Sequence, residues 1–345
     1  MDKPTFSQPV GVAIIGLGKW SRQLAAAVAR TSSLRIVICF TRSPEQRQAF
    51  AAEFGCDAAP SLEAALIARG VEAAIIAAPA HAHCELTVAC ARYGLHVFVE
   101  KPMAISIEQG IEMARACEKA RVTLVVGHEF RRFGTSRAMK RVLEEGRLGG
   151  IVMAVGSFSF PGNFHPDNYR SRRETNRGGA LMQLGIHHVE TLRYLLGPIV
   201  RVRGLFVHVR APADIDDVGI AELTFENGVI ATVSSTFFSQ TGAELHIYGE
   251  KGHMDCMYDM LAWPDALKVD PTSRLTIQTR QSREAIPFES QDVLVLELDE
   301  FARAARGLAQ PETGAREGLA ALAVAEAAFR SSATGVSIDP RSLAS

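Results

Sequence analysis

The chain is predicted to fold as two α/β domains, an N-terminal doubly wound Rossmann domain on a parallel sheet and a C-terminal α+β domain with a large, open, mostly antiparallel sheet. Three observations predict this. Apolar runs of strand length alternate with helix-period segments through residues 10–126. A glycine-rich turn follows the first run directly. Past about residue 128 the alternation gives way to successive strand-like stretches, one pair joined by Asn227-Gly228.

Taken in order, residues 10–16 (VGVAIIG) read as a buried strand and 19–30 as a helix with Leu24 and Val28 on one face. Residues 34–40 (LRIVICF) give a second strand, and 44–54 a helix with Pro44 in the favoured first turn. Strands follow at 73–78, 95–99 and 122–126, with helices at 61–69, 83–93 and 106–120. These strands are apolar without alternation, as expected when helices cover both faces of a parallel sheet. In the second half, 135–145 reads as a helix. Strands are expected at 151–160, 199–210, 218–226, 229–238 and 244–249, one helix at 179–196, and two closing helices at 292–307 and 313–331. The domains are set at 1–128, dinucleotide binding, and 129–345, substrate binding and oligomerisation. Helices 292–331 are expected to pack back near the junction.

Composition narrows the function. With 345 residues, 47% of them hydrophobic and 22% charged, the chain can bury two cores without staples. A net charge of −1, with Lys and Arg spread evenly, argues against nucleic-acid or membrane-surface binding. There is no signal-peptide pattern and no apolar run of spanning length, so a cytoplasmic location is expected. The six cysteines (Cys39, Cys56, Cys84, Cys90, Cys117, Cys256) form no CxxC pair and read as small core residues. No metal site is expected: His165 has no second His or Cys at ligand spacing.

The chemistry starts at Gly16-Leu17-Gly18-Lys19-Trp20-Ser21, between the first strand and the first helix. The first glycine permits the turn, the second lets backbone approach a pyrophosphate, and the helix start offers N–H donors. Ser21 replaces the usual Gly or Ala and is small enough to keep helix and strand close. Thr41-Arg42-Ser43 ends the second strand without the carboxylate that ordinarily binds a ribose diol, which favours NADP over NAD. Arg42 and Arg47 read equally as solvated surface charges. Glu100-Lys101-Pro102 ends the strand at 95–99, where open sheets gather ligands. Lys101 could stabilise a developing alkoxide there, or form a salt bridge with Glu100. In GGALMQLGIHH (178–188), Gln183 and His187 are four apart on one helix face, and Glu190 and Tyr194 continue it. With an ordinary pKa near ~6.5, His187 could take and return a proton, or serve the core.

These motifs together resemble the glucose–fructose oxidoreductase / inositol dehydrogenase / MocA family, and further segments agree. They are Ala78-Pro79-Ala80-His81-Ala82-His83, Val126-Gly127-His128-Glu129-Phe130-Arg131-Arg132, Glu145-Gly146-Arg147-Leu148-Gly149, Thr224-Phe225-Glu226-Asn227-Gly228 and Ile247-Tyr248-Gly249-Glu250-Lys251-Gly252. The resemblance covers nearly the whole chain, in order. It implies that Lys101 is the catalytic lysine at the nicotinamide and His187 the proton acid/base, with Gln183 the third catalytic residue, able to hydrogen-bond a sugar hydroxyl or orient the histidine. The family usually has Asp where this chain has Gln183, and an amide cannot raise the pKa of a neighbour as a carboxylate does. Ala78, Pro79, His83 and Glu100 join Gly16, Gly18, Lys19, Trp20, Ser21, Thr41, Arg42, Ser43 and Lys101 as expected cofactor contacts. Arg131, Tyr169, Arg170, Gln183, His187 and Lys101 are expected at the substrate. The segment 161–177, rich in arginine (Arg170, Arg172, Arg173, Arg177), reads either as an anion-recognising substrate loop or as a solvated or oligomer-contact face.

The expected reaction is oxidation or reduction of a carbinol carbon in a sugar, cyclitol or related polyhydroxy acid with NADP or NAD. Two alternatives stay open: a dinucleotide-binding regulator without turnover, and a redox-neutral enzyme with tightly held NAD, such as a glycoside-cleaving one. The alternating strands of the second domain imply a homodimer or homotetramer through the C-terminal sheet.

Overall fold

The computed structural model describes residues 8–162, 168–211, 214–263 and 265–344. They fall into two units. One comprises residues up to Ala104, Glu108–Gly127 and Leu294–Gly318; the other comprises Ile105–Ile107, His128–Val293 and Leu319–Ser345.

The first unit carries six parallel strands, β1 (Val10–Ile15), β2 (Leu34–Phe40), β3 (Asp57–Ala58), β4 (Ala73–Ile76), β5 (His96–Glu100) and β6 (Leu124–Gly127), in the order β3-β2-β1-β4-β5-β6. This is the doubly wound order, with its switch point between β1 and β4. All six residues of β1 are buried, because both faces of the sheet are covered. The crossovers are α1 (Lys19–Val28), α2 (Pro44–Phe54), α3 (Leu62–Leu66), α4 (His83–Arg92) and α5 (Ile107–Ala120). Gly55 in the left-handed region closes α2, and Ser61 caps α3 through Ala64 N–H.

The returning chain differs from expectation. Residues 294–318, assigned from sequence to the second domain, belong to the first unit. The physical reason is β6, an edge strand. Val126 N–H donates to Thr313 O at 2.8 Å, and Val125 bridges Gly314, so the returning segment covers that edge. Leu294, Leu298, Phe301 and Ala302 of the helix Val293–Ala305 are buried, with the Phe301 ring edge-on to Phe98.

The second unit is built on eight strands: β7 (Ile151–Phe160), β8 (Ile199–Val207), β9 (Val218–Phe225), β10 (Ile230–Phe237), β11 (Gly242–Gly249), β12 (Gly252–Tyr258), β13 (Arg274–Thr279) and β14 (Arg283–Ala285). Their order is β14-β13-β12-β11-β7-β10-β9-β8, antiparallel throughout except β7–β10. β12, β13 and β14 lie beyond the last strand expected from sequence. The helices are α6 (Gly134–Glu144), α7 (Ile186–Leu196), α8 (Ala266–Thr272), α9 (Val293–Ala305) and α10 (Ala315–Thr334), the last two running through the residues divided between the units.

Two local expectations need correction. The hairpin at Asn227-Gly228 is a three-residue loop, not a two-residue one. Phe225 N–H donates to Val229 O and Gly228 N–H to Phe225 O, with Gly228 at φ +88°. Glycine fits because the third loop position is left-handed. The helix expected at 179–196 is not uniformly α: Leu181–Gly185 form a π turn before α7 begins. The widened turn takes Gln183 out of the register that a four-residue spacing gives on a regular helix.

Candidate cofactor and catalytic sites

In the first unit the glycine-rich turn has the form its sequence demands. Gly16 sits at φ +85°, and a Cβ there would lie 2.6 Å from Ala78 N. The turn is therefore pressed against the segment after β4, and only glycine fits. A Cβ on Gly18 would meet nothing within 4 Å, and Gly18 and Lys19 are exposed. No side chain caps the start of α1, so its first N–H groups are left without a side-chain acceptor there. Ser21 is fully buried and its Oγ donates to Gly18 O at 2.7 Å. The serine thus keeps helix and strand close with its hydroxyl satisfied. An open glycine and an uncapped ten-residue helix make a cradle that a dinucleotide pyrophosphate fits.

Around it the other expected residues divide. Thr41 is half-buried and Arg42 exposed. Ser43 caps α2, accepting from Gln46 N–H at 3.2 Å and donating to Glu45 at 2.7 Å, which lowers the Glu45 pKa. Arg47 donates to Thr41 O at 2.6 Å and lies over the Phe40 ring, so it braces this strand end. His81 is near enough to Arg42 for the guanidinium to help burial lower its pKa.

The strand end at Glu100-Lys101-Pro102 is held from two sides. Glu100 is buried; it accepts from the Trp20 indole N–H and from Lys101 N–H at 3.1 Å. Glu100 and Trp20, both expected to touch cofactor, are thus engaged with each other. The Lys101 side chain is half-buried and the Lys101–Pro102 peptide is cis. His83 is only 1% exposed, with Nε2 2.8 Å from Ala78 O and Nδ1 3.0 Å from Pro102 O. Burial holds its pKa below the ordinary value. The buried ring lies between two backbone carbonyls and ties the loop after β4 to the turn at Lys101.

In the second unit His187 is 3% exposed and boxed by aromatic rings. Phe130 packs against it at 4.3 Å between ring centres, Phe158 at 5.8 Å and Trp263 edge-on at 6.4 Å. Its Nδ1 lies 3.7 Å from Oε1 of Glu129, which is fully buried. His188 points at the sheet: its Nε2 donates to Ser157 O at 3.0 Å, and burial pushes its pKa down to about 4. Arg131 is buried too, its guanidinium paired with Glu190 and lying over the Tyr194 ring. Glu190 and Tyr194, expected to continue the His187 face, are thus committed to the arginine.

Gln183 donates through Nε2 to Asn176 Oδ1 at 2.9 Å, and buried Asn176 donates to Arg170 O at 2.7 Å. Asn168 Oδ1 accepts from Arg170 N–H, and the exposed Arg170 guanidinium lies over the Tyr169 ring. Two of the remaining loop arginines are engaged in ion pairs. Arg173 pairs with Asp214 at 2.8 Å and Asp216 at 3.0 Å, and Arg177 pairs with Glu326 at 3.1 Å over Phe329. His165 lies outside the described residues. Among those described, no group of three or more His, Cys, Asp or Glu is arranged to hold a metal, and no helix is long and apolar enough to cross a membrane. All six cysteines are free thiols.

Sequence reasoning missed Glu129, Phe130, Asn176 and Trp263. Glu129 and Phe130 lay inside a segment already singled out, where a carboxylate following a buried strand was the available signal.

Comparison with known proteins agrees with this architecture. Residues 10–128 match the oxidoreductase family model with an NAD-binding Rossmann fold, and 136–255 match the GFO/IDH/MocA C-terminal domain. The chain is 26% identical over 328 residues to 1,5-anhydro-D-fructose reductase of Ensifer adhaerens, covering 93% of this chain and 96% of that one. A provisionally identified NADPH-dependent oxidoreductase from Desulfitobacterium hafniense superposes with a TM-score of 0.94 at 29% identity, over 99% of this chain and 100% of the other. The WlbA dehydrogenase of Bordetella pertussis, solved with NADH and UDP-GlcNAcA, superposes with a TM-score of 0.83 at 26% identity, over 97% and 99%. With family models matching both its halves, the chain belongs to the GFO/IDH/MocA family of NAD-binding oxidoreductases.

Proposed function

We propose that this protein is a dehydrogenase or reductase that interconverts a carbinol and a carbonyl in a sugar, cyclitol or sugar acid, with NADP preferred over NAD. The observation that carries the reading is His187, a histidine held in an aromatic box with a buried carboxylate at its Nδ1. When bound, a nicotinamide dinucleotide would supply the hydride chemistry. Gly16, Gly18, Lys19 and the start of α1 would hold its pyrophosphate, with Ala78 and Pro79 shaping the wall opposite the turn. Lys101, at the carboxyl end of β5, donates to the reacting oxygen and stabilises alkoxide charge. His187 takes the hydroxyl proton in the oxidative direction and returns it in reduction. Tyr169 and Arg170 offer a ring face and a guanidinium to the substrate, while Gln183 anchors their loop. Arg131 acts indirectly, by fixing the turn that carries Phe130.

The NADP preference rests on Arg42, exposed beside His81 at a strand end that has no carboxylate. The sheet of the second unit supports a homodimer or homotetramer. By register Leu205, Ile230, Met153 and Met257 share one face, and they are 52%, 54%, 39% and 50% exposed.

A panel of sugars, anhydro-sugars, cyclitols and sugar acids, assayed with NADP⁺ and NAD⁺ for nicotinamide reduction, tests the reading. Lys101→Ala and His187→Ala are expected to lose at least ~100-fold in kcat on any substrate found. Full turnover in both variants would overturn the role assignment.

A further inference from the structure

We propose that Glu129 is the positioning residue for His187, and that it supplies from the chain before α6 the carboxylate which Gln183 does not supply from the π turn. The inference rests on the reading of His187 as the proton acceptor. Three observations carry it. The Glu129 Oε1 to His187 Nδ1 distance is 3.7 Å, within ion-pair range. Both side chains are buried, at 0% and 3% exposure, so the interaction is little screened by water. Phe130, adjacent to Glu129 in the chain, packs its ring on the imidazole at 4.3 Å, so one short turn (Glu129–Arg132) fixes both the charge and the plane of the ring.

Burying a carboxylate is costly, and the cost is offset best by a partner that becomes positive. Glu129 facing Nδ1 favours the tautomer with the proton on Nδ1, which leaves Nε2 as the nitrogen that accepts the substrate proton. As that proton arrives, the imidazolium is stabilised by the fixed carboxylate. Glu129 itself exchanges no proton with substrate. Arg131 and Glu190 pair with each other, Arg132 donates to His128 O, and the His188 Nε2 donates to the sheet. Tyr258, across Phe130, is held protonated by burial and hydrogen-bonds Ser136.

The test is histidine NMR on the full chain labelled in its imidazole nitrogens, with His187 assigned from a His187→Gln variant. In the wild type the ¹⁵N shifts are expected to show His187 protonated on Nδ1 when neutral. Its titration midpoint is expected to fall by about one pH unit or more in Glu129→Gln, and to stay close to wild type in Glu129→Asp. An Nε2-protonated tautomer in the wild type, or an unmoved midpoint in folded Glu129→Gln, would overturn the proposal. The tautomer measurement decides the matter even if Glu129→Gln does not fold. These readouts need no substrate, so they separate the two claims. A moved midpoint alongside full turnover in His187→Ala would sink the proton-acceptor reading and keep the pair. An unmoved midpoint in an enzyme that requires His187 would do the reverse.

Discussion

The side-chain amide of Gln183 donates to Asn176 at 2.9 Å, and Asn176 donates to the backbone carbonyl of Arg170 at 2.7 Å. Gln183, where the sequence resemblance leads a carboxylate to be expected, therefore fastens the loop that carries Tyr169 and Arg170. Removing Asn176 cuts both links. Asn176→Ala is expected to raise KM about tenfold with a smaller change in kcat. It should also lower stability by about 1–3 kcal/mol, since two partly buried hydrogen bonds are lost. Steady-state kinetics and denaturant unfolding read the two effects separately. An unchanged KM would remove the loop from substrate binding.

The two glycines of the turn predict opposite behaviours. Gly16→Ala places a methyl 2.6 Å from Ala78 N on a backbone at φ +85°, so it should destabilise the fold by about 1–3 kcal/mol and disrupt dinucleotide binding with it. Gly18→Ala meets open space at φ −78°, so the fold should keep its unfolding temperature. Its nicotinamide affinity should still drop, about tenfold or more, because the methyl occupies the approach to the pyrophosphate. Thermal unfolding combined with NADPH fluorescence titration checks both. Unimpaired binding in Gly18→Ala would move the phosphate away from this turn.

The proposed preference for NADP is testable at Arg42. A charge-assisted bond to a 2′-phosphate contributes about 1.5–3 kcal/mol, or roughly ten- to a hundredfold in affinity. Arg42→Ala should lose that factor for NADPH and nothing for NADH. Equal losses for both would show that Arg42 contacts the shared part of the two molecules, and no loss would return it to the solvated surface.

Oligomerisation through the sheet is testable on its open face. Leu205 and Ile230 stand more than half exposed on one face of the sheet, on the two strands that flank β9. The wild type is expected to sediment as a dimer or tetramer at micromolar concentration, and Leu205→Glu/Ile230→Glu as a monomer with intact secondary structure.

Much of this was legible in the sequence, for identifiable reasons. The parallel sheet announces itself because strands buried on both faces must be uniformly apolar, as in β1 and β4. The glycine turn is legible because backbone constraint restricts residue type. What depends on distant contacts was not. β12 and β13 mix polar and apolar residues since one face of the sheet is open, and β14 has only three residues, all exposed. The return of residues 294–318 to the first unit is set by the open edge of β6, which periodicity cannot show. The helical wheel paired Gln183 with His187, but the π turn breaks the wheel. Glu129 meets His187 across 58 positions of sequence, and only tertiary structure brings them together.

His188 gives a pH dependence whose sign can be worked out. Its Nε2 donates to Ser157 O and burial lowers its pKa from 6.5 to about 4, with His246 adding repulsion. The folded pKa lies below the unfolded one, so between those two values the unfolded chain binds more protons. The stability that this group contributes is fully present above pH 6.5 and is lost as pH falls toward 4, by about 3 kcal/mol over that window. His188→Gln can keep a donor to Ser157 O but does not titrate there. Urea unfolding at pH 7 and pH 4.5 should therefore show a smaller acid-induced fall for His188→Gln than for the wild type. Buried His83, also held below its ordinary pKa, contributes equally to both proteins and cancels in the difference. Parallel pH slopes for the two would mean that the His188 ring is already protonated, or hydrated, in the folded protein.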